Sequence, residues 1–239
     1  MNISSEAIVL SSIKYGDNDL ITRLYLRSSG LRSYLLRGIL KSKKGKLRAS
    51  LFQPLTLLDV NAIHKDKGTL ERLKEAKRSI PYKTIHVNIL KNAMVFFLAE
   101  TVENSVKEEE SNPALFDYIK ASLLWLDLHS EIGNFHISFI VNLTKFLGFY
   151  PDSTSKDKTY FNTMTGTFQD EYEGGHTKRG PEIESFKHFL GTNFDASNQI
   201  KLTRKTRNDI LEMLLIYFEL HLHGFKKPKS LRVLNEIFR

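Results

Sequence analysis

Twelve consecutive residues, Arg37-Gly38-Ile39-Leu40-Lys41-Ser42-Lys43-Lys44-Gly45-Lys46-Leu47-Arg48, hold six cations and no carboxylate. Like charges at that density repel one another unless they are solvated or meet an anion, and such a row on a loop can follow a phosphate backbone. Each phosphate neutralised on a single strand releases condensed counterion, which gives affinity a salt slope of roughly −0.7 per contact. A merely solvated loop would also satisfy these residues. The charge of the whole chain sharpens the reading. There are 35 Lys and Arg against 27 Asp and Glu, a net of +8. Residues 1–80 carry 16 against 7, a net of +9, and the remainder carries 19 against 20, a net of −1. The positive excess therefore belongs to the first third of the chain, as expected if one module meets a polyanion and the other does something else.

Other chemistries find little support. Gly38 and Gly45 are too far apart for a phosphate-binding loop of the Gly-x4-Gly-Lys type, and Leu47 stands where its magnesium-binding Ser or Thr is required. His221 and His223 are two apart on an expected helix, so they point in different directions and cannot share a metal. The chain has no cysteine, which excludes disulfides, thiolate zinc sites and cysteine nucleophiles together. Glu108, Glu109 and Glu110 before Pro113 read as a solvated helix end, and Tyr217, Phe218 and Leu222 read as core. With no paired-carboxylate, triad or metal pattern, the expectation is a non-enzyme with no catalytic residue, cofactor or metal. The most apolar stretches, residues 92–106 and 210–222, are too short to cross a membrane or carry Glu100, Glu212 and Glu219. A soluble chain without a secretory signal and without a membrane partner is expected.

The elements that must position the cations are strands. Short runs of β-branched and aromatic residues, broken at Tyr15-Gly16-Asp17-Asn18, Ser28-Ser29-Gly30 and Lys44-Gly45, predict strands over residues 7–14, 20–27, 31–37 and 51–60. A fifth, over 69–76, is ambiguous between strand and helix. Five short strands within about eighty residues suit an OB-type barrel. After Pro81 the period changes to about 3.6, predicting helices over 85–107, from Pro113 through Leu126, over 135–146 ending at Gly148, over 181–190, over 204–223 with Thr203 as N-cap, and over 231–238 after Ser230. Between residues 152 and 180 the periodicity vanishes, and Tyr160-Phe161 faces Thr167-Phe168 like a small hairpin. The fold class read from this is α+β: a five-stranded OB-type barrel over 1–80, then a mainly helical domain over 81–239 with a hairpin insertion over about 152–180.

Alternation within the second and third strands sets Leu24 and Leu26 apart from Arg23, Tyr25 and Arg27, and Leu31 and Leu35 apart from Arg32 and Tyr34. If the two strands pair, the expected outer face interleaves guanidinium groups with phenol rings, suited to phosphates and stacked bases. An amphipathic sheet with a solvated face fits these residues equally. The expected polynucleotide-binding set is therefore Arg23, Tyr25, Arg27, Arg32, Tyr34, Arg37, Lys41, Lys43, Lys44, Lys46 and Arg48. An RNA-binding OB protein acting in translation or RNA folding, or a mainly protein-binding adaptor, remains open on the same residues.

Several segments together resemble the bacterial RecO family of DNA repair proteins. They are Glu6-Ala7-Ile8-Val9-Leu10, Tyr15-Gly16-Asp17-Asn18-Asp19-Leu20, Gly30, Arg37-Gly38 with its basic tail, Leu51-Phe52-Gln53-Pro54-Leu55-Thr56-Leu57-Leu58, and Leu147-Gly148-Phe149-Tyr150-Pro151. The resemblance spans most of the chain and is weaker in the helices. It implies an OB domain followed by a helical domain in a bacterial, cytoplasmic, nucleoid-associated protein. It also implies the work of a homologous-recombination mediator: binding single- and double-stranded DNA, annealing complementary strands, partnering RecR and the C-terminal tail of the single-strand binding protein, and so helping RecA load. That tail is acidic and ends in an aromatic residue, so its pocket should join a basic group to an apolar groove; Lys145, Arg204 and Arg207 are the candidates. One departure stands out. Many members carry a four-cysteine zinc module after the Leu-Gly-Phe-x-Pro segment. Here residues 153–180 keep Gly174-Gly175 but place His176 and Arg179 where thiolates are usual, so the hairpin should be held by packing among Tyr160, Phe161 and Phe168 instead.

Overall fold

A computed structural model describes residues 1–42, 47–65, 70–106 and 110–238. The chain divides into two compact units, Met1–Leu128 and His129–Arg239. The change of periodicity near Pro81 therefore falls inside the first unit.

That unit is built on β1 (Asn2–Tyr15), a strand long enough to serve two partners. Its first half pairs antiparallel with β4 (Leu57–Ile63) and its second half with β2 (Asp19–Leu26), and a bulge between Val9 and Ser11 bends it between the two tasks. With β3 (Gly30–Leu36) beside β2 and β5 (Arg72–Arg78) beside β4, the order is β3-β2-β1-β4-β5. The two edges curl toward each other. Among the described residues they meet at one parallel bridge, where the Glu71 N–H donates to the Ser33 carbonyl at 2.8 Å and the Leu35 N–H to the Glu71 carbonyl at 3.3 Å. The barrel is thus partly closed, by that bridge and not by a continuous ladder. Its inner face holds Ala7, Val9, Leu24, Leu26, Leu58 and Val60, with Ile39 and Phe52 folded in from the connection between β3 and β4.

The fourth strand starts later than its sequence suggests. Residues 49–51 form a 3-10 turn, and Leu55 takes a left-handed φ of 55° while its N–H donates to the Val9 carbonyl at 2.7 Å, so the chain is still turning through Pro54 and enters β4 only at Leu57. Helices α1 (Ile89–Ser105) and α2 (Pro113–Leu128) complete the unit, their starts capped by the side-chain oxygens of Asn88 and Asn112. Asp127, buried near the end of α2, accepts the N–H groups of Lys83, Thr84 and Ile85 and so fixes the path from β5 into α1.

In the second unit, α3 (Phe135–Leu147) stops at Gly148, whose φ of 84° supplies the left-handed turn. A three-stranded sheet follows, β6 (Tyr160–Asn162), β7 (Thr167–Gln169) and β8 (Thr177–Lys178), in the order β7-β6-β8 with Phe161 opposite Phe168 as expected. The third strand and α5 (Phe194–Asn198) are too short for the sequence to announce. Helices α4 (Pro181–Lys187), α6 (Arg204–His221) and α7 (Leu231–Ile237) match the expected positions; the Thr203 side chain accepts the Thr206 N–H at the start of α6. The hairpin is secured by Phe161 against Phe168, Phe186 and Tyr217, at ring separations of 4.9, 5.2 and 5.8 Å. Tyr160 stands outside that cluster, against Tyr172 and Arg179. Among the described residues no helix is long and apolar enough to cross a membrane.

Candidate nucleic-acid interface

The strand register decides where the expected ligand-facing residues go. Leu24 stands opposite Arg32 and Thr22 opposite Tyr34, so Arg32 and Tyr34 share the inner face with Leu24, while Arg23, Tyr25 and Arg27 lie on the other. The single face of mixed Arg and Tyr expected from the sequence does not form. Tyr34 is fully buried, its hydroxyl 2.7 Å from His64 Nε2, and burial pushes its ionisation well above the usual tyrosine range. Arg32 is half-buried on the same side.

The other face is covered as well. Tyr25 is 1% exposed, its ring stacked 6.3 Å from Phe116 of α2. Arg23 pairs with Glu103 of α1 at 2.8 Å, and that carboxylate also accepts from the Ser11 hydroxyl at 2.6 Å. Arg27 grips Asp117 of α2 through two bonds, 3.0 and 2.9 Å, which hold the Asp117 carboxyl below its usual range. Lys120 meets Glu6 beside them. Alternation was read correctly within each strand, but both faces of this sheet are occupied, one by the barrel core and one by helices from forty or more residues downstream.

The cationic connection is different. Arg37, Lys41 and Arg48 are exposed; Lys43, Lys44 and Lys46 lie outside the described residues. Each end of the segment is fixed to the barrel. At the start, the Gly38 N–H donates to the Asp19 carboxylate at 2.7 Å and the Leu40 N–H to the Asn18 carbonyl at 3.0 Å, while Ile39 is buried in the core. The φ of 66° at Gly38 lets the backbone make this turn, which the N–H groups of Lys41 and Ser42 then close on its carbonyl, both at 3.2 Å. At the far end Leu47 packs on the core, and the guanidinium of Arg78 donates to the Ser50 carbonyl at 3.3 Å. The segment thus runs from the β1–β2 turn to the end of β5.

That second anchor leads to cations the sequence reading passed over. In β5, Arg72, Lys74, Lys77 and Arg78 are all exposed around the inward-facing Leu73 and Ala76. The signal was present: four cations in seven residues with apolar groups only where a barrel strand needs them. Lys14, at the other anchor, was passed over too. Opposite charges temper the surface only in part, since Lys77 reaches Asp59 at 3.6 Å while remaining 79% exposed.

In the second unit the three partner candidates separate. Lys145 sits over the Tyr150 ring at 4.5 Å, near the C-terminal end of α3. Arg207 lies at the opposite end of that helix, its Nε 3.3 Å from Asn134 Oδ1; ten residues of helix place Lys145 about 15 Å from Phe135. Arg207 is half-buried, and desolvation lowers its proton affinity. It lines a cavity of about 490 Å³ with Asn134, Asn198, Lys201 and Thr203, at the N-terminus of α6. Arg204, one turn earlier, is exposed and donates to the Asn235 carbonyl. In the insertion, His176 is exposed and its carbonyl caps Thr163 at 2.9 Å, and among the described residues no group of three or more His, Asp or Glu side chains is placed to hold a metal ion. The residues of this insertion do not fit the zinc module that the resemblance implies for many family members.

Fold and surface define a class: an OB-type domain with a cationic rim, continued by a helical module with a small three-stranded insertion. Two family models match the chain, Recombination protein O N terminal over residues 1–81, which span the five-stranded sheet, and Recombination protein O C terminal over residues 86–232. The chain belongs to the RecO family. It is 49% identical to the DNA repair protein RecO of Christiangramia forsetii and 41% identical to that of Flavobacterium psychrophilum, in each case over the full length of both chains. With the DNA repair protein RecO of Bacteroides fragilis it shares 34% identity over 97% of both.

Proposed function

We propose that this RecO-family protein serves DNA repair and recombination as a non-catalytic mediator, which binds single- and double-stranded DNA along the cationic rim and anneals complementary strands there. One observation carries the reading. A segment with six cations and no carboxylate is anchored at both ends on the barrel, leading from the β1–β2 turn to the four cations of β5. Phosphate contacts of this kind are insensitive to sequence, as annealing requires, and neutralising both strands lowers the repulsion between them. Strand annealing by the Lys41→Glu, Lys43→Glu, Lys44→Glu, Lys46→Glu variant tests it: loss of annealing is expected, and unimpaired annealing would remove the segment from the mechanism.

Within the same reading, the helical module engages RecR and the acidic tail of the single-strand binding protein, and so helps RecA reach covered DNA in the bacterial cytoplasm. The Arg207 cavity suits such a tail. A half-buried guanidinium beside Lys201 and the N-terminus of α6 favours a carboxylate. The non-catalytic part is checked by incubating labelled DNA with magnesium or manganese, which should leave it intact.

A further inference from the structure

The sheet face that α1 and α2 cover does not end with those helices. Across β1 and β2 it continues from Ser11 and Arg23 to the pairs Ile13–Ile21 and Tyr15–Asp19 at the hairpin tip. There Ile13 is 60% and Tyr15 54% exposed. Residues 1–80 contain four aromatic rings, Tyr15, Tyr25, Tyr34 and Phe52, and the last three are buried. Tyr15 is therefore the ring that solvent can reach.

Its neighbourhood is cationic for a structural reason. The bonds from Gly38 to the Asp19 carboxylate and from Leu40 to the Asn18 carbonyl pin the start of the basic segment to this hairpin turn. They bring exposed Arg37 and Lys41 to the tip, whose opposite face carries exposed Lys14. Of the two carboxylates in the turn, that of Asp19 is taken up by the Gly38 N–H, and that of Asp17 is exposed. An aromatic face among cations has two complementary ligands in one polymer, bases for the ring and phosphates for the charges. A duplex offers only the phosphates, because its base faces are stacked on each other. A single strand offers both.

We propose that the β1–β2 tip is a base-stacking edge selective for single-stranded DNA, with Tyr15 receiving a base and Arg37 and Lys41 holding the adjoining phosphates. This rests on the DNA-binding reading above and adds to it the group that distinguishes a single strand from a duplex. The geometry fits that role, since a ring at a strand end beside a tight turn is held by the sheet yet open on one side.

The test compares the full chain with its Tyr15→Leu and Tyr15→Phe variants, binding an oligo-dT strand and a blunt duplex of equal length. Tyr15→Leu keeps apolar bulk and loses the ring; it should weaken single-strand binding about five- to 150-fold, the range of one base–aromatic stack. Duplex binding should change less than about two-fold, and the salt slope should stay the same, because no charge is removed. Tyr15→Phe should restore single-strand affinity. Single-strand binding unchanged in Tyr15→Leu but lost in the four-lysine charge reversal would overturn the stacking edge and leave the DNA-binding reading standing. Equal losses on strand and duplex would overturn it as well, and a wild-type chain without affinity for either would overturn both.

Discussion

Replacing Tyr25 should cost stability and leave DNA affinity where it is. The ring is 1% exposed, stacked on Phe116, with its hydroxyl 3.4 Å from the Asn112 carbonyl. Truncation to Ala empties a ring-sized space between sheet and helix, a loss of about 3–5 kcal/mol. Tyr25→Phe keeps the ring and removes the hydroxyl, whose bond to the Asn112 carbonyl is long, at a cost of about 1 kcal/mol. Arg23→Ala breaks the pair with Glu103, but with the Arg23 side chain 38% exposed, solvent screening limits the loss to about 0.5 kcal/mol. Urea unfolding followed by circular dichroism gives the stabilities, and fluorescence anisotropy with a labelled single strand gives the affinities, at a temperature where every variant is folded. Tyr25→Ala and Arg23→Ala, measured where they are folded, should bind within about two-fold of wild type, since a covered ring offers no face to a base and a neutralised guanidinium little charge to a phosphate. A ten-fold loss of affinity in either folded variant would show that this face reaches DNA and would refute the assignment of α1 and α2 as its cover.

Other consequences concern the helical elements. Burial, with a smaller contribution from Arg207, pushes His136 down to about 3, so an unfolded chain takes up a proton below roughly pH 6.5 that the folded one refuses. The second unit should accordingly lose stability as pH falls from 6.5 toward 3, by at most about 1.4 kcal/mol per pH unit, and His136→Leu should flatten the urea midpoint over that range. Asp127→Ala should destabilise the first unit by roughly 3–5 kcal/mol, measured in urea, by stranding three backbone donors. Burial pushes the Asp127 carboxyl up, but its bonds from Lys83, Thr84 and Ile85 outweigh that and hold it low, so this contribution is complete above about pH 4 and fades as pH falls through the lowered value. Arg207→Ala should weaken binding of an acidic, aromatic-ended peptide about ten-fold or more by calorimetry, without altering DNA affinity.

What the sequence made legible follows from the range of the interactions involved. Local signals held: alternation placed β1, β2 and β3, Thr203 capped α6, and Gly148 ended α3. The face of Arg32 and Tyr34 depended on register against β2, and the burial of Tyr25 on a helix some ninety residues away, and neither is written in alternation. Leu51, Phe52 and Leu55 looked like strand because they are apolar, yet the chain turns there, and Leu55 is buried with its N–H on the Val9 carbonyl. The basic segment was visible as composition, whereas its route to β5 needed the Arg78–Ser50 bond. Tyr15 was read only as a turn residue, and its importance emerges by elimination once the other rings of the barrel prove buried.

The salt dependence of single-strand affinity tests the cationic rim most directly. The six cations on the segment of residues 37–48 should contribute about −4 to the slope of log K against log salt, and reversing Lys41, Lys43, Lys44 and Lys46 to Glu should make the slope shallower by at least about 2.8. A flat wild-type slope, or a steep one that the reversal leaves unchanged, would contradict binding through this segment.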